Sequence, residues 1–336
     1  MRSFDYFRAN SIAEAVREAS TEGTSYLAGG TNLVDLMKED VERPSKIVDL
    51  NWLALKKIQR MQDGGLLIGA LVTNADTAYH PEVTKHYPVL ASAILAGASP
   101  QLRNAATAGG NLNQRTRCYY FYDTASPCNK RQPGSGCGAI GGVNRHHAIL
   151  GASEQCIATH PSDMGVALAV LDAQVHLSGP KNDRVVAIGD YHRLPGDEPW
   201  RDTVLAPGEL VTAIELPDNT FSDRYTYLKL RDRLSYAFAL VSVAVVMRMN
   251  GGGIEEARVA LGGVAHKPWR NPDAEALLRG QASDKTFTEF ADALLAGATG
   301  QGENNFKIPL ARRAIVRACH QAANGTPQSQ TDKRIV

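Results

Sequence analysis

Four of the chain's five cysteines, Cys118, Cys128, Cys137 and Cys156, fall in one stretch, and that stretch constrains the fold more than any other feature. It opens at Gly97 with GASPQLRNAATAGGNLNQ, a run of small residues of the kind that cradles phosphate, and closes at Met164 with ATHPSDM. A phosphate-type loop and a set of metal-ligating side chains therefore share one continuous piece of chain. The cysteine spacing is Cys118-x9-Cys128-x8-Cys137-x18-Cys156. Structural zinc favours tight C-x2–4-C pairs, and none occurs here. Thiolate sites for iron–sulfur clusters tolerate more open loops. Arg115, Arg117, Lys130 and Arg131, with many glycines between them, suit a loop wrapped round a compact anion. Spacing alone leaves open a cluster, a zinc ion, reduced structural cysteines or a disulfide. Cys319 lies in a helical pattern far downstream and reads as a buried hydrophobe. His146, His147 and His160 are available as ligands, but a loop or capping role fits each as well.

Composition narrows the setting. A chain of 336 residues can hold two or three domains with real cores. With 43% hydrophobic and 21% charged residues it is ordinary for a globular protein, and a net charge of +1 gives no global field for nucleic acid or an anionic membrane. No apolar run approaches the roughly 20 residues that span a bilayer. The opening MRSFDYFRANSIAEAV lacks the apolar stretch of a signal peptide, which predicts synthesis and assembly in the cytoplasm. Reduced thiols are the default there, so clustered cysteines are better ligands than disulfides.

The periodicity predicts a β-α-β-α-β unit over about the first 55 residues. Ser11 and Glu14 form a capping box on a helix with Ile12, Ala15, Val16 and Ala19 on its inner face, ended by Gly23. Tyr26 and Leu27 end a strand, Ala28 to Thr31 make a tight turn, Leu33 to Lys38 start a helix, and 46–51 is a strand. The strand–glycine–helix junction is where anions bind, although it lacks the third glycine of G-x-G-x-x-G and the lysine of a P-loop. A strand at Leu66, a helix capped by Thr73 or Asn74, and one helix through TKHYPVLASAILAGA follow. A helix capped by Ser162 or Asp163 leads into a strand at Ala173 to Leu177. Further strands, a hairpin turning at Asn250 to Gly253, and C-terminal helices complete the chain, with residues 325–336 as a disordered tail. The PDNTFSD cluster marks a boundary near Asp218 to Asp223.

AGGTNLVDLM at 28–37, with SPQLRNAATAGGNL at 99–112, resembles the FAD-binding subunit or domain of the xanthine dehydrogenase family of molybdenum hydroxylases. The insertion RTRCYYFYDTASPCNKRQPGSGCGA is similar to that of the periplasmic aldehyde oxidoreductase type, whose insertion holds a [4Fe–4S] cluster. The flavin subunit of 4-hydroxybenzoyl-CoA reductase carries a comparable insertion. DRLSYAFALVSVAVV and VALGGVAHKPWR extend the likeness to the C-terminal part.

The resemblance implies an α+β fold: a two-lobed FAD-binding domain of the PCMH/vanillyl-alcohol-oxidase-like type plus a C-terminal antiparallel sheet with helices. The lobes would be 1–55 and 56–220, with a cysteine-bearing insertion at 113–160, then a CO-dehydrogenase-flavoprotein-like domain at 221–324 and the tail at 325–336. It implies that Tyr26, Leu27, Ala28, Gly29, Gly30, Thr31, Asn32, Leu33 and Val34 wrap the FAD pyrophosphate. Thr107, Ala108, Gly109, Gly110 and Asn111 form a second loop on the dinucleotide, and Asp163, Val211 and Lys229 are further FAD contacts. The backbone N–H groups of Gly29 to Asn32 and Gly109 to Asn111 are then expected to meet the two phosphates, with Lys229 supplying positive charge near the flavin. Cys118, Cys128, Cys137 and Cys156 become the cluster ligands.

The implied function is an electron-transfer subunit of an aldehyde-oxidising enzyme, with no catalytic residue of its own. Its partners would be a large molybdenum-cofactor subunit, a small subunit with two [2Fe–2S] clusters, and an external acceptor, with no nucleic acid and no membrane span. Export to the periplasm would rely on a partner's signal. A zinc-stapled nucleotide-binding interaction module without redox role, the flavin subunit of a 4-hydroxybenzoyl-CoA reductase-like enzyme, and a free-standing flavin oxidase are the competing readings.

Overall fold

The computed structural model describes residues 1–218 and 221–332. It contains three sheets, each built from a consecutive part of the chain. The first part runs β1 (Asp5–Arg8), α1 (Ile12–Ala19), β2 (Thr24–Leu27), α2 (Leu33–Lys38) and β3 (Lys46–Asp49). Its three strands are parallel in the order β1-β3-β2, as right-handed crossovers through helices require. Ser11 caps α1, its Oγ accepting from Glu14 N–H at 3.2 Å, while Glu14 reaches back to the N–H of Asn10 at 2.9 Å. The helix stops at Ala19, not at Gly23, because the Ser20 hydroxyl turns back onto Val16 O at 2.8 Å. Gly23, with φ +75°, makes the following turn into β2.

The second part carries β4 (Ile58–Arg60) and β5 (Leu66–Gly69). Seven helices follow: α3 (Asn74–Tyr79), α4 (Pro81–His86), α5 (Pro88–Ala96), α6 (Pro100–Ala105), α7 (Ala108–Leu112), α8 (Tyr119–Tyr122) and α9 (Asp163–Val170). Then come β6 (Gln174–Ser178), β7 (Arg184–Ala187), α10 (Ile188–Tyr191) and β8 (Leu210–Leu216), giving a sheet ordered β4-β5-β8-β6-β7. The single helix expected across TKHYPVLASAILAGA is two, because Pro88 has no N–H to continue α4 and instead opens α5. Both α5 and α9 are almost wholly buried, and they pack on each other at the centre of the largest core.

The third part is an antiparallel sheet, β9 (Tyr225–Leu230), β10 (Val241–Asn250), β11 (Gly253–Gly262) and β12 (Trp269–Arg270), in the order β12-β11-β10-β9. The β10–β11 hairpin turns through Gly251 and Gly252, both at positive φ. Helices α11 (Pro272–Glu275), α12 (Asp284–Leu294) and α13 (Lys307–Asn324) cover one face, and Cys319 lies fully buried among them.

The expected disordered tail is ordered as far as it is described. Gln328 N–H donates to Thr226 Oγ1 at 2.9 Å and Gln330 Nε2 to Tyr227 O at 3.0 Å, strapping 326–332 along β9. Residues 333–336, and Asn219 and Thr220 of the expected boundary, lie outside the described residues. Among the described residues no helix is long and apolar enough to cross a membrane.

Candidate functional site

The two glycine loops meet. A Cβ on Gly29 would sit 1.9 Å from Ala105 O, so the first loop lies against the end of α6 with room for no side chain. Gly30, at φ +73°, then turns the chain into α2. A cavity of about 850 Å³ opens on one side of this junction and a second of about 330 Å³ on the other, sharing Gly30, Thr31, Asn32 and Gly110 as walls. Together they have the size and the elongated form that a dinucleotide needs.

The backbone donors of the two loops differ. Among the described residues, the N–H groups of Gly29, Gly30, Thr31 and Asn32 donate to no protein acceptor. Those of the second loop are all engaged: Ala108 with Val72 O at 2.9 Å, Gly109 with Ala70 O at 2.8 Å, and Asn111 with Thr107 O at 2.8 Å. Gly110 N–H donates to Thr107 Oγ1 at 3.2 Å. The expectation that Gly109 to Asn111 present N–H groups to phosphate is therefore corrected. The segment folds as α7, and Thr107 is its N-cap.

Of the other residues expected at the site, Tyr26, Ala28, Leu33, Thr107, Gly109 and Val211 line the smaller cavity, and Val34, Asn111, Asp163 and Lys229 the larger. Leu27 and Ala108 line neither; Leu27 lies in β2 and Ala108 is in the core. Lys229 is not a free charge. Its Nζ donates to Asp163 Oδ2 at 2.7 Å and to Ala96 O at 3.3 Å, with a side chain only 2% exposed. Asp163 Oδ1 also accepts from Tyr227 OH at 2.6 Å. Burial and the adjacent Asp163 carboxylate push the Tyr227 phenol well above its ordinary value, so it stays a donor. A Cβ on Gly97 would meet Asp163 Oδ2 at 2.8 Å, which explains the small residue there.

The larger cavity is also where polar atoms lack partners. Asn32 Nδ2, Asn74 Oδ1, Arg117 Nε, His147 Nδ1 and His160 Nε2 are all buried without a hydrogen bond, and all five residues line it. Asn32 is oriented by its own oxygen, which accepts the Arg115 N–H at 2.8 Å. Buried polar groups without partners are costly and rare, and a polar occupant would satisfy them. The residues present thus fit a dinucleotide.

The same cavity reaches Cys118. All five cysteines are free thiols. Cys128 and Cys137 pair across an isolated β-bridge, and Cys156 hydrogen-bonds Cys137. That bond, with the N–H groups of Ala139, Ile140 and Ile157, holds the Cys137 thiol below its ordinary value, whereas burial pushes Cys118 up to about 11. Phe121 and Tyr120 N–H point at Cys118, and Ala158 N–H at Cys156. Thiols ringed by backbone donors would suit an anionic cluster. Among the described residues no three His, Cys, Asp or Glu side chains are gathered as a single metal ion requires.

Two buried cations stand beside the thiols. Arg115 pairs with Glu42 of the first part and with Asp202 at 2.6 Å, and Lys130 pairs with Asp202 and donates to Pro199 O at 2.7 Å. Although burial pushes the Asp202 carboxyl up, Lys130 and Arg115 hold it well below the usual carboxylate range.

Of the histidines around the thiols, the sequence offers His146, His147 and His160 but not His192 or His266. His147 Nε2 lies 3.1 Å from Cys118 Sγ and His266 Nε2 lies 3.4 Å from Cys156 Sγ. His160 packs against His192 with ring centroids 4.2 Å apart and the planes tilted by 44°. His146 is at the surface, bridging Tyr119 OH at 2.8 Å and Asp232 at 3.1 Å. His192 and His266 sit far from the insertion in sequence, so no local signal marks them.

Residues 2–219 match the model described as the FAD binding domain in molybdopterin dehydrogenase, and 225–322 match the CO dehydrogenase flavoprotein C-terminal domain. The aldehyde oxidoreductase FAD-binding subunit PaoB of Escherichia coli (strain K12) is 50% identical over 324 residues, covering 96% of this chain and 99% of its own. The carbon monoxide dehydrogenase medium chain of Afipia carboxidovorans is 29% identical over 333 residues, covering 96% and 99%. A solved chain of CO dehydrogenase from Oligotropha carboxidovorans superposes with a TM-score of 0.74 at 26% identity, covering 96% of this chain and 98% of that one.

Proposed function

This chain belongs to the FAD-binding subunits of the molybdenum hydroxylase family of oxidoreductases, and on that premise we propose that it is the FAD- and [4Fe–4S]-bearing electron-transfer subunit of a heterotrimeric aldehyde oxidoreductase. The supporting observation is the larger cavity, which joins three of the four unpaired N–H groups (Gly30, Thr31 and Asn32, with Gly29 on the adjoining smaller cavity), five unpartnered polar atoms and Cys118 in one space. Gly29, Gly30, Thr31 and Asn32 would hold the pyrophosphate through their N–H groups, with Asn32 Nδ2 as a further donor. Asn111, Asp163 and Val211 would line the rest of the dinucleotide, with Lys229 holding Asp163 in place. The flavin supplies one- and two-electron chemistry when bound.

The aldehyde substrate rests on the likeness to a subunit whose name carries that activity. The designation medium chain among the relatives supports larger and smaller partners. The proposed complex adds a large molybdenum-cofactor subunit that oxidises aldehyde, a small [2Fe–2S] subunit that delivers electrons, and an external acceptor that removes them. Assembly in the cytoplasm, followed by export on a partner's signal, completes the reading.

Cys118, Cys128, Cys137 and Cys156 would hold the cluster, whose purpose is structural. Around them the hydrophobic cluster is small, Leu36, Val41, Phe121 and Cys128 with Cys118 and Tyr122 against it, and the insertion's Ile149 and Leu150 pack into the core of the third part instead, so the insertion has too little core of its own to fold unaided. The test is the purified complex. Flavin bands with broad absorption at about 400 nm and about four irons per chain are expected; zinc, or markedly less iron, would overturn the cluster. Cys128→Ser should reduce assembly more than turnover, and normal assembly with blocked turnover would show a conducting cluster instead.

A further inference from the structure

We propose that His147 and His266 donate hydrogen bonds to two sulfur ligands of the cluster and thereby raise its reduction potential; this rests on the cluster reading above. The two Nε2 atoms lie 3.1 Å from Cys118 Sγ and 3.4 Å from Cys156 Sγ, both within reach of a hydrogen bond to sulfur. A thiol can donate or accept, but a metal-bound thiolate can only accept. Nε2 therefore carries the proton once the ligands are metal-bound, and Nδ1 is bare. In His266 Nδ1 is buried and without a partner, so the sulfur is the one hydrogen-bonding partner that ring has among the described residues, while the His147 ring also has the Asn144 backbone beside it. A ring kept only for packing would be cheaper as a phenyl, because an unpartnered buried nitrogen costs about 1–3 kcal/mol.

The rings come from different parts of the chain and are both held firmly. His147 lies in the insertion, where its carbonyl accepts from Lys307 Nζ at 2.8 Å and Asn304 Nδ2 at 3.2 Å. His266 follows β11, and the residues before it are paired to the insertion: Val264 O accepts from Ile149 and Leu150, at 2.9 and 3.0 Å, and Ala265 O accepts from His160 at 2.9 Å. The remaining N–H groups on the sulfurs belong to the backbone. An N–H donor on sulfur stabilises the reduced, more negative cluster more than the oxidised one, which raises the potential.

The test uses the full chain in its complex, with His147→Phe, His266→Phe, the double variant, and His→Gln at each position. Iron content and the cluster midpoint from an electron-paramagnetic-resonance redox titration are read together, with the flavin midpoint as internal control. Each Phe variant should keep its iron and titrate at a lower cluster midpoint, the double variant lower still, with the flavin midpoint unmoved. The Gln variants, which keep an N–H, should return towards the wild-type midpoint. Loss of iron in a Phe variant but not in the Gln variant also supports the donor role. An iron-loaded Phe variant at the wild-type midpoint, or loss of iron in Phe and Gln variants alike, overturns it. A wild-type chain without iron removes the cluster reading itself, and that is decided before any variant is measured.

Discussion

Residues 28–32 read AGGTN and residues 107–111 read TAGGN. In the first loop four consecutive N–H groups point at no protein acceptor, and in the second all four from Ala108 to Asn111 are taken. The difference lies in the neighbours. Ala108 and Gly109 pair with residues 70–72 beyond β5, and the Thr107 hydroxyl caps the turn that follows. The first loop is steadied through its acceptors, with Asn51 Nδ2 on Ala28 O at 3.0 Å and the Arg115 N–H on Asn32 Oδ1 at 2.8 Å, which leaves its backbone donors for a ligand. Small residues let a backbone come close to something. Whether that is a phosphate or another strand of the same protein depends on what is nearby.

If the second loop is structural, the groups that hold it should matter to stability, and those of the first loop to flavin. The largest effect is expected from Lys229→Met. It strands the buried Asp163, whose neighbour Ser162 caps α9 and donates to Asn111 at 2.6 Å. Chemical denaturation should show a loss of about 3–5 kcal/mol. A normal denaturation curve with a changed flavin potential would instead make Lys229 a flavin residue and break the contrast.

The far end of the second loop is held by His192, whose Nε2 donates to Leu112 O at 2.8 Å, and burial keeps its imidazole down to about 4. Between that value and about 6.5 the unfolded chain binds the extra proton. Stability is therefore whole above pH 6.5 and falls as the pH drops towards 4, with His192 contributing about 3 kcal/mol of the loss. Denaturation midpoints of wild type and His192→Gln, taken from pH 7 to 4, should converge by that amount. Parallel curves would remove His192 from the account.

Asn32→Asp puts a carboxylate where a phosphate is expected while keeping an oxygen for the Arg115 N–H. Flavin affinity, read by fluorescence quenching, should fall at least tenfold, about 1.4 kcal/mol, with little change in melting temperature. Thr107→Ala is the smallest and the mirror image. Losing the cap should cost about 1 kcal/mol of stability and leave flavin affinity unchanged. Should Thr107→Ala lose flavin as readily as Asn32→Asp does, the two loops share one role after all.

Local chemistry made much of the fold legible. Ser11 and Glu14 mark α1, the span Leu33 to Lys38 is the helix that was expected, and Asn250 to Gly253 is the hairpin turn. What escaped depended on distant partners. β4 is three residues long and exists only as an edge on β5. α7 hides behind glycines that usually oppose a helix, because its stability comes from Ala70 and Val72. In the site, the cysteines and the first loop could be read directly. The pairing of Lys229 with Asp163 joins residues 66 positions apart, and His266 reaches Cys156 across 110. Neither pairing follows from spacing.

The anchoring of the insertion also has an order in time. Asn144 N–H donates to Glu303 at 3.1 Å, Asn144 Nδ2 to Gln301 O at 2.8 Å, and Lys307 and Asn304 hold the His147 carbonyl. A ribosome adding about 5–20 residues per second needs roughly 8–30 s to travel from Cys156 to Lys307. Part-way through that interval residues 264–266, which pair with Ile149, Leu150, His160 and Cys156, are made, while the partners of Asn144 and His147 are not. The insertion is therefore fastened in two stages, and a chain truncated before residue 301 would keep the first and lack the second.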